Sequence, residues 1–277
     1  MNLKYNPLKW QEHIPAPVNT LQIFITNRCN LRCKGCFYGH KLNNTDMSLD
    51  SYRNIIKQYS HSVKKITLLG GEPLLHPKLG DMITENNNHG LTTTVYTNGR
   101  YLEALQDIPP VDLRIGVLGL NTSEKPLSKI KSTSWPVSIV LMLRKDNIDQ
   151  LDEVAKQAER FNCKSLYLSS IRDIGETNDY WKDTEDTISN AEYAEIIQSF
   201  VDRYQGNIPR LDISTRGIFK SGQVNCCRFG NVFPDGEKII CPLDIAKKSV
   251  VPELQFNTRK CNKHSSCVLQ KIVLKAI

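Results

Sequence analysis

Between residues 21 and 203, short apolar runs alternate with amphipathic stretches in a regular order. The runs 21–26 (LQIFIT), 65–69 (KITLL), 91–96 (LTTTVY), 111–117 (VDLRIGV), 137–143 (VSIVLML) and 165–169 (SLYLS) have the length and composition of buried strands. The intervening stretches 49–59, 78–88, 100–106, 148–161 and 191–203 carry helical periodicity, strongest over 148–161. Ser48 stands where an N-cap is expected and Gly90 where a helix would stop. Six strand–helix repeats predict a parallel α/β sheet with right-handed crossovers. Six strands are too few to close an eight-stranded barrel, so an open sheet is expected. Its chemistry should gather at the C-terminal ends of the strands.

The first run leads directly into Thr26-Asn27-Arg28-Cys29-Asn30-Leu31-Arg32-Cys33-Lys34-Gly35-Cys36-Phe37. Cys29, Cys33 and Cys36 have the spacing C-x3-C-x2-C. Thiolates normally ligate all four irons of a [4Fe–4S] cubane, so three cysteines leave one iron open to a small ligand. Two plainer readings exist: a redox pair at Cys33 and Cys36, or a zinc site completed by a distant His. The motif resembles that of the radical S-adenosylmethionine (radical SAM) superfamily. That resemblance implies a partial (β/α)6 TIM-like barrel and SAM bound on the open iron. It also implies reductive cleavage of SAM to a 5′-deoxyadenosyl radical. Gly35 stands where the family commonly has an aromatic residue against the adenine, which makes Phe37 or Tyr38 the candidate for that contact.

Further motifs fall at strand ends. Gly70-Gly71-Glu72-Pro73 follows the second run; paired glycines allow a sharp turn and a close backbone approach. It matches the family's GGEP element, which implies that Glu72 binds the ammonium group of SAM; an ordinary strand-to-helix turn is the alternative. Thr97-Asn98-Gly99 resembles the family's TNG element, and Asn98 is equally suited to cap a helix. Arg144 has the fork geometry for the SAM carboxylate, while Asn147 suits a helix cap. Ser169 or Ser170 is a candidate for hydrogen bonds to ribose or substrate. Neither a P-loop nor a dinucleotide-binding glycine motif is present.

Five more cysteines follow: Cys226, Cys227, Cys241, Cys261 and Cys267. Asp235-Gly236 reads as a hairpin turn between strands at 228–233 and 238–241. The spacing is similar to that of SPASM and twitch extensions of radical SAM enzymes. Five cysteines are too few for two clusters, so a twitch-like domain with one auxiliary [4Fe–4S] cluster is the better match. The resemblance implies Cys227, Cys241, Cys261 and Cys267 as ligands, with Cys226 as competitor or as a hydrogen-atom donor to a substrate radical. A zinc ribbon is the alternative. Cys163 reads as a small core residue. The expected domains are an N-terminal extension at 1–20, a radical SAM core at 21–215 and the twitch-like domain at 216–277.

Composition narrows the partners. With 40% hydrophobic and 23% charged residues the chain is a folded rather than a disordered protein. No apolar run approaches the roughly 20 residues needed to span a bilayer, and the first residues lack the apolar core of a secretory signal. Nine cysteines without an export signal suggest metal ligation in the cytoplasm rather than disulfides. The net charge of +7 resides in 216–277, which hold eleven Lys and Arg against four Asp and Glu. Thiolate-ligated clusters carry negative charge that this excess would offset, so nucleic-acid binding is not expected. The expected activity is oxidation or epimerisation of a small polar metabolite such as a sugar or aminocyclitol, fed by a reductase or flavodoxin-type electron donor. Modification of a ribosomally made peptide is the second reading, and a non-enzymatic metal- or RNA-binding protein the third.

Overall fold

The computed structural model describes residues 9–13, 18–33, 35–117, 135–170, 185–214, 229–240, 250–254, 256 and 271–276. Six of its strands are those expected from the apolar runs: β2 (Thr20–Thr26), β3 (Lys65–Gly70), β4 (Thr92–Thr97), β5 (Asp112–Val117), β6 (Val137–Leu143) and β7 (Ser165–Ser170). Helices α1 (Leu49–Tyr59), α2 (Leu79–Asn88), α3 (Leu151–Arg160) and α4 (Asn190–Arg203) also fall where periodicity places them. The Ser48 hydroxyl accepts the Ser51 N–H at 3.1 Å, as an N-cap should. The stretch 100–106 departs from expectation: it forms only a 3-10 turn, Leu102–Leu105.

A seventh parallel strand, β8 (Arg210–Ser214), was not expected; it pairs with β7. Strands β2 to β8 therefore run parallel in sequence order, which is the partial barrel. Both edges of this arc are extended. The short hairpin β9 (Phe229–Val232) and β10 (Lys238–Ile239) joins the sheet by parallel pairing of β9 with β2. Gly236, at φ +84°, supplies the turn. At the other edge β11 (Lys271–Ala276) pairs antiparallel with β8, and β1 (Trp10–His13) with β11.

Side-chain alternation sets the two faces. Leu113, Ile115 and Val117 of β5 join Ile139 and Leu141 of β6 in the layer beneath the helices. Arg114 and Gly116 consequently face the concave side. Helix α1 meets that layer with Tyr52, Ile55, Ile56 and Tyr59, the i, i+3, i+4, i+7 stripe of an amphipathic helix. Each of the two isoleucines contributes about 1.5–3 kcal/mol on burial.

Within the apolar layer, Tyr52 donates to Asn86 Oδ1 at 2.7 Å, and Asn86 Nδ2 donates to Thr93 at 3.0 Å. All three are buried. Asn86→Ala is expected to strand both hydroxyls and lower stability by about 2–4 kcal/mol. An unshifted urea midpoint in that variant would show that the bridge contributes nothing.

Among the described residues, no helix is long and apolar enough to cross a membrane.

Candidate functional site

β2 ends at Thr26, and the chain then folds into the cysteine loop at the C-terminal end of the sheet. Cys29, Cys33 and Cys36 are all half-buried there, and none is in a disulfide. Burial pushes the Cys29 and Cys33 thiols above the ordinary range. The Glu72 carboxylate and Cys36 add to the rise at Cys29, and Cys36 and Cys29 add to it at Cys33. The Arg100 and Arg144 guanidiniums oppose the rise at Cys33. Such a trio resists ionisation until a cationic centre compensates it. Among the described residues no three His, Cys, Asp or Glu side chains are grouped to hold a single metal ion. Three thiolates on separate irons of a cubane sit farther apart than ligands around one tetrahedral ion. An all-thiol donor set suits the irons of such a cluster.

The loop's shape is fixed by backbone contacts. Gly35 takes φ +65°, a conformation glycine adopts without cost, which accounts for its presence in place of an aromatic residue. The Cys36 N–H bonds the Cys33 carbonyl at 3.2 Å, and the Leu31 N–H donates to Cys29 Sγ at 3.4 Å. Arg28 straps the loop from outside. Its guanidinium pairs with Asp46 at 2.7 Å and donates to the Leu75 carbonyl at 2.6 Å.

The Gly70-Gly71-Glu72 turn is zipped onto this loop. The Gly71 N–H donates to the Thr26 carbonyl at 2.8 Å, and the Glu72 N–H to the Arg28 carbonyl at 2.7 Å. A Cβ on Gly70 would lie 2.3 Å from Thr26 O, and one on Gly71 would lie 2.2 Å from Arg28 O. Neither position tolerates a side chain. Glu72 is buried, and its carboxylate accepts from Leu74 N at 3.1 Å, Thr97 Oγ1 at 2.7 Å and Asn98 N at 2.8 Å. Burial raises its pKa against these bonds, which lower it. Pro73 opens the 3-10 turn Pro73–Leu75 and is buried with it. Asn98 in turn reaches Asn30 of the cysteine loop at 2.8 Å. Three segments far apart in sequence are thus joined at one end of the sheet.

Other candidates are placed differently. Tyr38 does not face the site. It is 1% exposed, stacked at 4.8 Å on Phe24, and its hydroxyl donates to Asn27 at 2.6 Å. Burial pushes its pKa well up. The Tyr38 ring belongs to an aromatic cluster that includes Phe233, and the half-buried Phe37 packs against the same cluster. Arg144 lies near Cys33, but Asp146 holds its guanidinium in two bonds, 2.8 and 2.6 Å. Asn147 forms the cap, accepting from Arg144 N at 2.8 Å. Ser169 is half-buried on the concave side of β7, whereas Ser170 is buried with its hydroxyl unpaired among the described residues. Cys163 is 1% exposed, and burial pushes its thiol up to about 12, as fits a core residue. Cys226, Cys227, Cys241, Cys261 and Cys267 lie outside the described residues. Asn30, Arg28 and Arg100 carry no motif signal of their own, and the Asn30 partner lies 68 residues away.

A parallel arc with three cysteines after the strand β2, zipped to a glycine turn after β3, defines the class: a partial-barrel protein with its chemistry at the strand ends. Residues 23–149 match the model of the radical SAM superfamily, and the chain carries a radical SAM domain. It is 28% identical over 54% of its length to the tungsten-containing aldehyde ferredoxin oxidoreductase cofactor-modifying protein of Pyrococcus furiosus, covering 51% of that protein. It is 23% identical over 69% of its length to the GTP 3′,8-cyclase of Staphylococcus haemolyticus, covering 65% of it. The match thus spans about half to two thirds of these curated relatives. The fold is similar to that of Streptococcus suis SuiB bound to the precursor peptide SuiA, with a TM-score of 0.69 at 12% identity, covering 91% of this chain and 65% of that one.

Proposed function

We propose that this protein is a radical SAM enzyme acting on a small polar metabolite, by oxidation or epimerisation. The observation that carries the reading is the joining of the cysteine loop to the Gly71 and Glu72 backbone. It brings three thiols and a buried carboxylate together at the end of the sheet. Cys29, Cys33 and Cys36 would hold a [4Fe–4S] cluster, which when bound supplies the electron that cleaves SAM to the 5′-deoxyadenosyl radical. The chain's own part is to bind and orient. Gly70 and Gly71 let the turn close on the cysteine loop and so set Glu72 beside it. Glu72 retains lone-pair capacity beyond its three bonds for the ammonium group, with Asn98 supporting it. Arg144 would take the SAM carboxylate by exchanging it for Asp146. Ser169 faces the ribose or the substrate. A second cluster on Cys227, Cys241, Cys261 and Cys267, with Cys226 as hydrogen donor, completes the reading.

Thr67, Thr94, Arg114, Ser138 and Asp212 on the concave face support a polar substrate, beside the apolar Leu69, Val140 and Met142 that share the face by register. The likeness to a GTP cyclase points the same way. SuiB's precursor peptide favours a peptide substrate only through a shared fold.

The test is anaerobic. Reconstituted protein with SAM and dithionite is expected to form 5′-deoxyadenosine. Iron incorporation without any nucleoside product would leave a metal-binding protein and end the enzymatic reading.

A further inference from the structure

On the concave face, β4, β5 and β6 bring Tyr96, Arg114 and Ser138 side by side in register. Two strands further on, Tyr167 and Asp212 are also directly opposite each other. The half-buried Arg114 guanidinium donates from Nη1 to the Tyr96 hydroxyl at 2.8 Å and lies over the Tyr96 ring, 5.4 Å from its centroid. Among the described residues this is its only hydrogen bond, although a guanidinium has five N–H donors. It also forms no ion pair among them. The buried carboxylate of Asp212, on the same face, is hydrogen-bonded by a different cation: its Oδ1 accepts from Arg210 Nε at 3.0 Å and Nη2 at 2.8 Å.

Taking a charge out of water is costly unless a partner compensates it. The charge of Asp212 acts on Arg114 without a hydrogen bond between them, and the guanidinium donors that Tyr96 does not use leave room for a negative group from outside. The fork geometry of arginine matches the paired oxygens of a phosphate or carboxylate. The Tyr96 hydroxyl accepts from Arg114, so its own O–H can donate to an anion beside the guanidinium. We infer that Arg114 and Tyr96 form an oxyanion subsite on the concave face, which binds the phosphate or carboxylate group of the substrate. This rests on the enzymatic reading above and narrows its substrate to an anionic metabolite, docked by its charge on β5 below the cysteine loop. Arg114 is then a residue of substrate specificity, distinct from those that hold SAM.

The probes are inorganic phosphate and acetate, titrated against the full reconstituted chain with chloride at matched ionic strength. The readout is the unfolding midpoint, which a ligand of the native state raises by mass action. One anion is expected to raise it beyond chloride. A larger effect of phosphate identifies a phosphate ester, and of acetate a carboxylate. In Arg114→Gln the increment is expected to vanish, and in Tyr96→Phe to shrink. If Arg114→Gln does not fold, Arg114→Lys decides, with binding weaker by roughly fivefold because the fork is lost. An equal increment in these variants, or none in the unmodified chain with either anion, overturns the subsite. The titration needs no SAM cleavage. Anion binding through Arg114 without 5′-deoxyadenosine formation would sink the enzymatic reading alone, and the converse would sink only this one.

Discussion

Replacing Cys33 with Ala is expected to cut 5′-deoxyadenosine formation by about 100-fold or more. Even outer partners of a metal ligand are worth 10–100-fold, and this change removes a proposed ligand outright. The fold should survive. Cys33 is half-buried in a loop, and the loop bond it makes, from its carbonyl to Cys36 N–H, belongs to the backbone. Far-ultraviolet circular dichroism should therefore match the unmodified chain while iron content and nucleoside product fall together. Cys163→Ala is the control. That thiol is buried in the apolar layer and is held protonated, so its loss should cost about 1 kcal/mol of stability and no cleavage. Undiminished cleavage in Cys33→Ala would remove the loop from the chemistry.

Gly71→Ala is expected to lower cleavage by on the order of 100-fold through geometry alone. The new methyl would lie 2.2 Å from the Arg28 carbonyl oxygen and 2.9 Å from Cys29 Cβ. Neither can yield without moving the cysteine loop, since Arg28 O is already bonded to Glu72 N at 2.7 Å. A displacement of about 1 Å at a reacting centre is enough for a loss of that size. Overpacking should also cost about 1–3 kcal/mol of stability. The expected signature is reduced cluster retention after gel filtration with all three cysteines still present by mass. Normal retention and normal cleavage would show that the close approach of the two loops is dispensable.

The elements that periodicity could reveal are those with long uninterrupted patterns. The six strands β2 to β7 and four helices belong to this group, because each has one face against the apolar layer. Strand β8 escaped because RLDIS is only five residues and carries Arg210 and Asp212, whose charges are paired with each other instead of solvated. The stretch 100–106 reads as a helix locally, yet Pro109 and Pro110 close behind it leave room for little more than one turn. In the site, the C-x3-C-x2-C and GGEP patterns were legible because each is contiguous. The bonds of Asn98 to Asn30, Arg28 to Asp46 and Arg114 to Tyr96 join residues 18 to 68 positions apart, and no local pattern encodes them. Tyr38 was misplaced for the same reason. It stands two residues after Cys36 in sequence, but its neighbours in space include Phe24 and Phe233.

The pairing of β9 with β2 has a consequence for biosynthesis. Of the parallel strands, β2 leaves the ribosome first, yet its second neighbour arrives some two hundred residues later. Until then the nascent chain offers one open row of amides and carbonyls on the very strand that feeds the thiol loop. Open rows of this kind template wrong partners. Maturation of the thiol loop is therefore tied to synthesis of β9, and chains cut short before residue 229 should accumulate as aggregates.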